Sequence, residues 1–426
     1  MKIEDIYKAF VNSNYNLTTD SRKITEGCIF LALKGDNFDG NKFAKEALVK
    51  GASKVIIDDP DYALRADTIL VDDGLKTLQD LANYHRHQID AIILGITGSN
   101  GKTTTKELLH KVIAKKYKTF ATQGNLNNHI GVPLSLLSIR PEIEFAIIEM
   151  GANAQGEIHD LSNIASPSFG IITNIGNAHL EGFGGIEGVK KAKSELYRHL
   201  SANNGMAFLN REMEFLEDLI GDCKVSFYSQ QAEDHWSSQL IKSEPQIEIQ
   251  LNRAPEKMII KSALFGEYNF HNMNTALAVG HHFGVSFEDM KEAIESFIPA
   301  QNRSEIIHKD SNTFFMDAYN ANPSSMRKAI ISFAAFPNDN KSLILGDMFE
   351  LGVYSDQEHL AMIELAKKYE WKVMITVGNE FAKIEHQGLH FSNVVDLKTW
   401  FWQRKFKGYT FLLKGSRGVQ LEKLLN

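Results

Sequence analysis

Of its 426 residues the chain has only two cysteines, Cys28 and Cys223, far apart and in no metal-ligand spacing. That argues against a disulfide scaffold or a cysteine-held zinc. It fits reduced thiols in a cytosolic protein, with Cys28 in a core strand. Long basic runs are missing and the net charge is −7, so nucleic acid is not an expected partner. No apolar run is long enough to span a membrane, and the opening Met-Lys-Ile-Glu-Asp carries no apolar signal region. Membrane insertion is therefore not expected. Internal repeats and low-complexity segments are lacking too. What remains is an ordinary globular composition, 43% hydrophobic and 23% charged, in a chain too long for a single core. Two or three domains are expected.

The strongest positive signal runs from Ile92 to Thr105. Ile92, Ile93, Leu94 and Ile96 form an apolar run suited to a buried parallel strand. A turn through Gly98, Ser99, Asn100 and Gly101 follows, then Lys102, Thr103, Thr104 and Thr105. Leu108, Leu109, Val112 and Ile113 recur at helical spacing. Strand, glycine turn, Lys-Thr and helix make the P-loop layout. The glycines let backbone N–H groups converge on phosphate oxygens at a helix N-terminus. In such a loop Lys102 reaches the β- and γ-phosphates of ATP and the Thr103 hydroxyl ligates Mg2+. One departure is plain: the first glycine stands three residues before Gly101, where the general pattern has it five before the second glycine.

Upstream, residues 1–85 read as a small α/β domain. Strands are expected at Cys28–Leu33 and Lys54–Asp58, with a helix over Asn41–Gly51 between them. Ser21 and Arg22, with the polar Asp36–Gly40 turn, could face an anionic ligand, although exposed turns are the readier explanation of these stretches taken alone. A helix over 75–87 places His85 and His87 near its end, where the helix dipole favours them.

Downstream, Thr122–Pro133 is rich in amides, including Asn128, and offers donors and acceptors to a polar ligand. Glu144–Glu149 is a second buried strand with Glu149 at its C-terminal end, the edge of an open α/β sheet where ligands bind. A carboxylate there, near a P-loop, is suited to hold magnesium. Phe169–Asn174 is a third strand, followed by a glycine loop with His179, a further ligand candidate. A helix over Gly188–Leu200 carries Lys190 and Lys191 on a solvated face, and Lys193. Shorter strands follow, Gln246–Leu251 paired with Lys257–Lys261, then helices over Met273–Phe283 and 287–297. A last domain begins near Ala300, with parallel strands at Leu343–Leu345, Val373–Val377 and Thr410–Leu413. Ser355 and Glu358 have capping-box spacing, with Leu360 and Ile363 as the apolar face behind them. This unit is Rossmann-like but lacks Gly-x-Gly-x-x-Gly, so a nicotinamide or flavin is not expected. The expected class is α/β in three domains: 1–85, a P-loop domain over 86–299, and 300–426.

The ensemble of motifs resembles one family, the Mur ligases, over nearly the whole chain from Asp20 to Arg417. The short Gly98-Ser-Asn-Gly-Lys-Thr-Thr104 loop is the spacing that family uses. Gly124-Asn-Leu-Asn-Asn-His-Ile-Gly-Val-Pro133, Glu149-Met-Gly-Ala-Asn153, Ala178-His-Leu-Glu-Gly-Phe-Gly184, Asp317-Ala-Tyr-Asn-Ala-Asn-Pro323 and Lys414-Gly-Ser-Arg417 resemble its D-alanyl-D-alanine-adding branch. The Asp-Asn-Pro-Arg tetrapeptide of the branch that adds the third residue is not found.

The resemblance implies an ATP-dependent ligase joining UDP-MurNAc-tripeptide to D-alanyl-D-alanine through an acyl phosphate. It also implies roles for residues. Gly98 to Thr104 would hold ATP, with Lys102 and Thr103 on the phosphates and one of two Mg2+ ions, and Glu149 would join that cluster. His179 would bind the second ion, and Lys193 matches the lysine that such ligases carbamylate to hold it. Asn272 would lie near adenine, Arg303 at the γ-phosphate and Asp317 at the ribose. Asn128, Asn320, Asn322, Asp347, Lys414, Ser416 and Arg417 would face the peptide substrates. Ser21 and Arg22 would hold the uridine diphosphate end. A cytoplasmic monomer is the accompanying expectation. Two rivals stay open: a folylpolyglutamate synthetase-like ligase of the same fold, and a P-loop ATPase acting as a switch.

Overall fold

The computed structural model describes residues 2–64, 67–244, 246–299 and 302–426. Three parallel or mixed sheets carry the chain. The first has four strands, Leu17–Thr18, Ile29–Leu31, Lys54–Ile57 and Thr68–Leu70, all parallel and in chain order. One face is covered by a cluster around Cys28, Phe30, Ala44 and Val55. Its other face packs through helix Gly74–Arg86 into the same apolar cluster as Val132, Leu136 and Ile148, so this unit shares a core with its neighbour. His85 belongs to that core. It is buried, hydrogen-bonds the Tyr7 hydroxyl and the Ile139 carbonyl, and burial lowers its pKa. Packing, rather than the helix dipole, explains it.

The second sheet has nine strands. From one edge they run Met258–Ser262, Ile247–Leu251, Trp236–Lys242, Lys224–Ser229, Met206–Asn210, Phe169–Ile172, Ile92–Thr97, Phe145–Glu149 and Thr119–Ala121. The first three pair antiparallel and the rest parallel. The expected helix over Gly188–Leu200 is two helices, Ile186–Lys193 and Glu195–Ala202, meeting at Ser194. Lys190 is only part-exposed and pairs with the exposed Glu187 at 2.7 Å. Its ammonium sits 3.8 Å from the Phe215 ring centroid, while Lys191 is exposed. The helix expected from Met273 starts at Glu267 and places Asn272 on its second turn.

The third sheet has six strands in the order Glu305–Lys309, Asn312–Asp317, Thr410–Lys414, Lys341–Gly346, Val373–Val377 and Leu389–Phe391. Only the first pair is antiparallel. Periodicity singles out the three central parallel strands but neither edge strand, Glu305–Lys309 and Leu389–Phe391, nor the adjoining Asn312–Asp317. Helix Ser355–Ala366 has no capping box: Ser355 donates its hydroxyl to Glu380 at 2.6 Å. Leu360 is exposed, and Met362, Ile363, Leu365 and Ala366 make the buried face. The boundary expected near Ala300 lies outside the described residues. No helix among the described residues is long and apolar enough to cross a membrane.

Candidate active site

Strand Ile92–Thr97 pairs with Phe169–Ile172 on one side and Phe145–Glu149 on the other. Neighbouring connections therefore diverge at its C-terminal end and leave a crevice there. The glycine turn fills the gap tightly. Gly98 has φ +138°, and a Cβ on it would stand 2.0 Å from the Thr173 hydroxyl. Gly101 has φ +79°, and a Cβ there would stand 2.5 Å from Asn272 Oδ1. Neither site admits a side chain. The loop is held from outside as well. Thr173 donates to the Asn100 carbonyl at 2.6 Å, the Asn100 N–H donates to Asn174 Oδ1 at 3.1 Å, and Ser99 donates to the Gly176 carbonyl at 3.0 Å. Lys102 begins the helix Lys102–Ile113 and bends back to donate to the Gly98 carbonyl at 2.7 Å. Burial lowers its pKa; Glu149 opposes that shift and Arg303 adds to it.

Register places Glu149 opposite Ile96, beside this turn and 2% exposed. Its Oε1 accepts from Asn127 Nδ2 at 2.8 Å and from the Thr103 hydroxyl at 3.3 Å. Its Oε2 has no hydrogen-bond partner and lies 3.7 Å from Lys106 Nζ. A hydroxyl and a buried carboxylate with one orphaned oxygen, next to a phosphate loop, fit magnesium. That ion takes few protein oxygens and completes its shell with water and phosphate. Among the described residues no three His, Cys, Asp or Glu side chains gather as a cage.

His179 sits past the next strand end, at φ 52°, and opens the short helix Leu180–Phe183. Its Nδ1 faces the Glu350 carboxylate of the third-sheet unit. Burial lowers its pKa, with Glu350 opposing and Lys102 and Lys193 adding. Lys193 is 2% exposed, and its ammonium lies 5.2 Å from the Phe183 ring centroid. No hydrogen bond or ion pair among the described residues engages it. Burial first, then repulsion from Lys102, brings its pKa down to about 7 against the pull of Glu157 and Glu195. Those two carboxylates are committed elsewhere. Glu157 accepts the Asn153 N–H at 2.7 Å, and Glu195 accepts the Gly156 and His159 N–H groups at 2.8 and 2.9 Å.

The third sheet contributes its own strand ends. Arg303 lies 3.5 Å over the Tyr319 ring with Nε buried and unpartnered. Asp317 pairs with Lys414 at 2.9 Å, and Lys414 also donates to the Asn320 carbonyl at 2.8 Å. Asn322 caps helix Pro323–Ala335 in a reciprocal box with Ser325, and its Nδ2 donates to Asn100 Oδ1 at 2.7 Å, joining the third sheet to the P-loop. The Asn177 N–H donates to the Ser324 hydroxyl at 2.9 Å on the same seam.

A single cavity of about 930 Å³ collects Ser99 to Thr104, Asn128, Glu149, His179, Asn272, Arg303, Asp317, Asn320, Asn322 and Lys414. Asn128 also caps helix Gly131–Leu137, accepting from Ile130 and Gly131. Asn272 is fixed by Thr105 and Asn269. Five expected substrate-binding residues stand outside the lining, as do Gly98 and Lys193. Arg22 is exposed and clamped on Asp20, with Ser21 beside it. Asp347 is used internally, accepting the Glu380 and Phe381 N–H groups at 2.9 Å each. Ser416 bridges the Ala321 carbonyl and the Phe349 N–H. Arg417 is exposed beside the Tyr319 ring. Two residues not singled out by sequence are central: Asn127 and Lys106. The one hint was position, since Lys106 falls one helical turn after Lys102, on the P-loop face.

A P-loop sheet, a Rossmann-like sheet closing over its crevice and a small leading sheet define an ATP-using enzyme of three units. Family models agree with that division: "Mur ligase family, catalytic domain" matches residues 14–86, "Mur ligase middle domain" residues 96–280, and "Mur ligase, glutamate ligase domain" residues 302–416. The chain belongs to the Mur ligase family. It is 32% identical over 425 residues to the UDP-N-acetylmuramoyl-tripeptide--D-alanyl-D-alanine ligase of Bacillus subtilis, covering 96% of this chain and 92% of the relative. A crystal structure of MurF from Acinetobacter baumannii superposes with a TM-score of 0.86 at 33% identity, over 96% of this chain and 92% of that one. MurF from Thermotoga maritima in complex with ADP gives 0.86 at 27% identity, over 96% of each chain.

Proposed function

We propose that the chain uses ATP to join D-alanyl-D-alanine to UDP-N-acetylmuramoyl-tripeptide, completing the pentapeptide of the peptidoglycan precursor. The single observation behind this reading is full-length similarity to ligases of that name, met by a cavity that both the P-loop and the third sheet line. The folylpolyglutamate-like reading rests on fold alone, since the folylpolyglutamate synthase of Thermotoga maritima is only 10% identical to this chain.

The chemistry follows from charge. The tripeptide carboxylate attacks the γ-phosphorus, ADP leaves, and an acyl phosphate forms. The dipeptide amine then attacks the acyl carbon, loses a proton, and phosphate departs from a tetrahedral intermediate. Both steps concentrate negative charge, and fixed cations in a water-poor cleft stabilise it. Lys102 supplies one at the phosphates and Arg303 a second from the third sheet. Thr103 and Glu149 would hold magnesium, which supplies Lewis-acid stabilisation of phosphoryl oxygens when bound. His179, whose pKa burial lowers, would offer an imidazole nitrogen to a second ion. Lys193 has the amine such a site needs: with a pKa of about 7 it is substantially unprotonated at neutral pH and able to take up carbon dioxide as a carbamate, an oxygen donor. On this reading Lys193→Ala loses most turnover and regains part of it with a short added carboxylate. Full activity without rescue removes Lys193 from the site.

Residues 1–85 hold the uridine diphosphate end, 86–299 the nucleotide, and 300–426 the incoming dipeptide, with Asn320 and Lys414 facing it. The enzyme works as a cytoplasmic monomer. The decisive experiment is phosphate release with ATP and magnesium, adding UDP-MurNAc-tripeptide and D-alanyl-D-alanine singly and together. Release only with both supports the ligase. Release regardless of either points to an ATPase switch.

A further inference from the structure

Lys106 is buried to 0% exposure, and the mechanism above gives it no task. A buried ammonium is costly unless it is paired and hydrogen-bonded. Here its Nζ donates to the Thr122 carbonyl at 2.6 Å and lies 3.1 Å from Glu107 Oε1 and 3.7 Å from Glu149 Oε2. Thr122 closes the unit, because its hydroxyl accepts the Glu149 N–H at 3.0 Å. Glu107 is half exposed and leaves part of that charge to be met from the buried side. Helical spacing sets Lys106 beneath Thr103 and Lys102, so its charge reaches the Thr103–Glu149 pair from behind.

We propose that Lys106 is a positioning residue that sets when the Thr103–Glu149 pair accepts a divalent cation. The inference rests on the reading of Glu149 as the carboxylate on the magnesium side. With Lys106 in place, the carboxylate is already balanced by a fixed cation at 3.7 Å in a poorly screened interior. A bare divalent ion entering the pair meets that charge. Nucleotide phosphates carry the negative charge that offsets it. The cation therefore binds together with nucleotide and not ahead of it, while Thr122 and Lys106 hold Glu149 aimed at the P-loop in between.

The test is a manganese titration followed by electron paramagnetic resonance of free Mn2+, with and without ADP. Wild type should bind Mn2+ much more tightly with ADP than without. Lys106→Gln and Lys106→Met should raise the nucleotide-free affinity about tenfold or more, roughly 1.4 kcal/mol. Lys106→Arg, which keeps the charge, should stay near wild type. A merely structural lysine would lower the melting temperature of the neutral variants without any gain in affinity. Unchanged nucleotide-free affinity in folded Lys106→Gln overturns the proposal. So does equal Mn2+ affinity of wild type with and without ADP, which needs no variant to fold. Glu149→Gln separates the two layers. If it leaves the affinity in ADP unchanged, the reading of Glu149 fails. If it weakens that affinity while Lys106→Gln changes nothing, only the role of Lys106 fails.

Discussion

Glu149 ends a buried parallel strand of the nine-stranded sheet, and Asp347 follows a buried parallel strand of the six-stranded sheet. The acids are similarly enclosed, 2% and 3% exposed. Their surroundings differ. Both oxygens of Asp347 are taken by the N–H groups of Glu380 and Phe381, so the carboxylate caps the 3-10 helix Phe381–Lys383. One oxygen of Glu149 is fixed by Asn127 and Thr103, and the other has no donor. A strand-end acid is thus a structural cap where the following loop turns N–H groups onto it. It becomes a ligand where the loop turns away and a second element brings side-chain oxygen instead. Two sheets of one architecture use the same sequence signature for opposite ends.

That contrast can be broken by substitution. The largest effect should fall on the nine-stranded edge: Lys102→Ala should lower turnover about a thousandfold. Its melting temperature should hold, since the side chain's single hydrogen bond is to Gly98. Loss of fold, or wild-type kcat, would remove the loop from the chemistry. The two acids come next. Glu149→Gln should cost roughly a hundredfold in kcat and at most about 1 kcal/mol of stability, since Lys106 keeps Glu107 and the Thr122 carbonyl as partners. Asp347→Ala should do the reverse, losing about 2 kcal/mol in denaturant melts by orphaning two buried donors, with kcat within a few-fold of wild type. Lost turnover at full stability in Asp347→Ala would erase the distinction.

A third acid, Glu244, separates burial from function. It too has an unpartnered buried oxygen, but it is not among the residues that line the cavity. Burial raises its pKa to about 7, opposed by the Gly266 backbone and Lys341. Between the ordinary carboxylate pKa and 7 the folded chain binds more protons than the unfolded one, so stability falls as pH rises through that window. Glu244→Gln should leave stability unchanged near pH 4 and raise it by about 1 kcal/mol at pH 8, allowing for partial solvent screening. A gain present equally at both pH values would rule out the titration. The smallest effect belongs to the seam between the sheets. Asn322→Ala removes a helix cap and the bond to Asn100, and should cost about 1 kcal/mol. It should also raise the KM for ATP more than it lowers kcat, and an unchanged KM would leave Asn322 as a cap alone.

Reading the chain locally reached the P-loop because one segment holds the whole pattern, with strand, glycines, Lys102 and Thr103 inside fourteen consecutive residues. Glu149 was accessible for the same reason: a five-residue apolar strand Phe145–Glu149 ends on it. Asp347, expected at the substrates only from the resemblance, has a different fate, because its partners come from Glu380 and Phe381, more than thirty residues on. Lys106 looked like any helix lysine. Its burial depends on Thr122 and Glu149, which the sheet brings against the helix. His85 misled in the other direction, since Tyr7, Phe10 and Tyr15 surround it from a distant helix and turn.

By itself the sequence determined the central strands around the phosphate loop, the loop itself and the family. These depend on short-range periodicity and on glycines that no other residue can replace at Gly98 and Gly101. The tertiary structure alone decided which polar side chains remain available. Hydrogen bonds saturate, and whether Asp347, Ser416 or Arg22 is spent on a neighbour depends on what the fold sets beside it. It also decided that Asn322 meets Asn100 across 222 positions of chain, a contact between two separately folded sheets that no local pattern encodes.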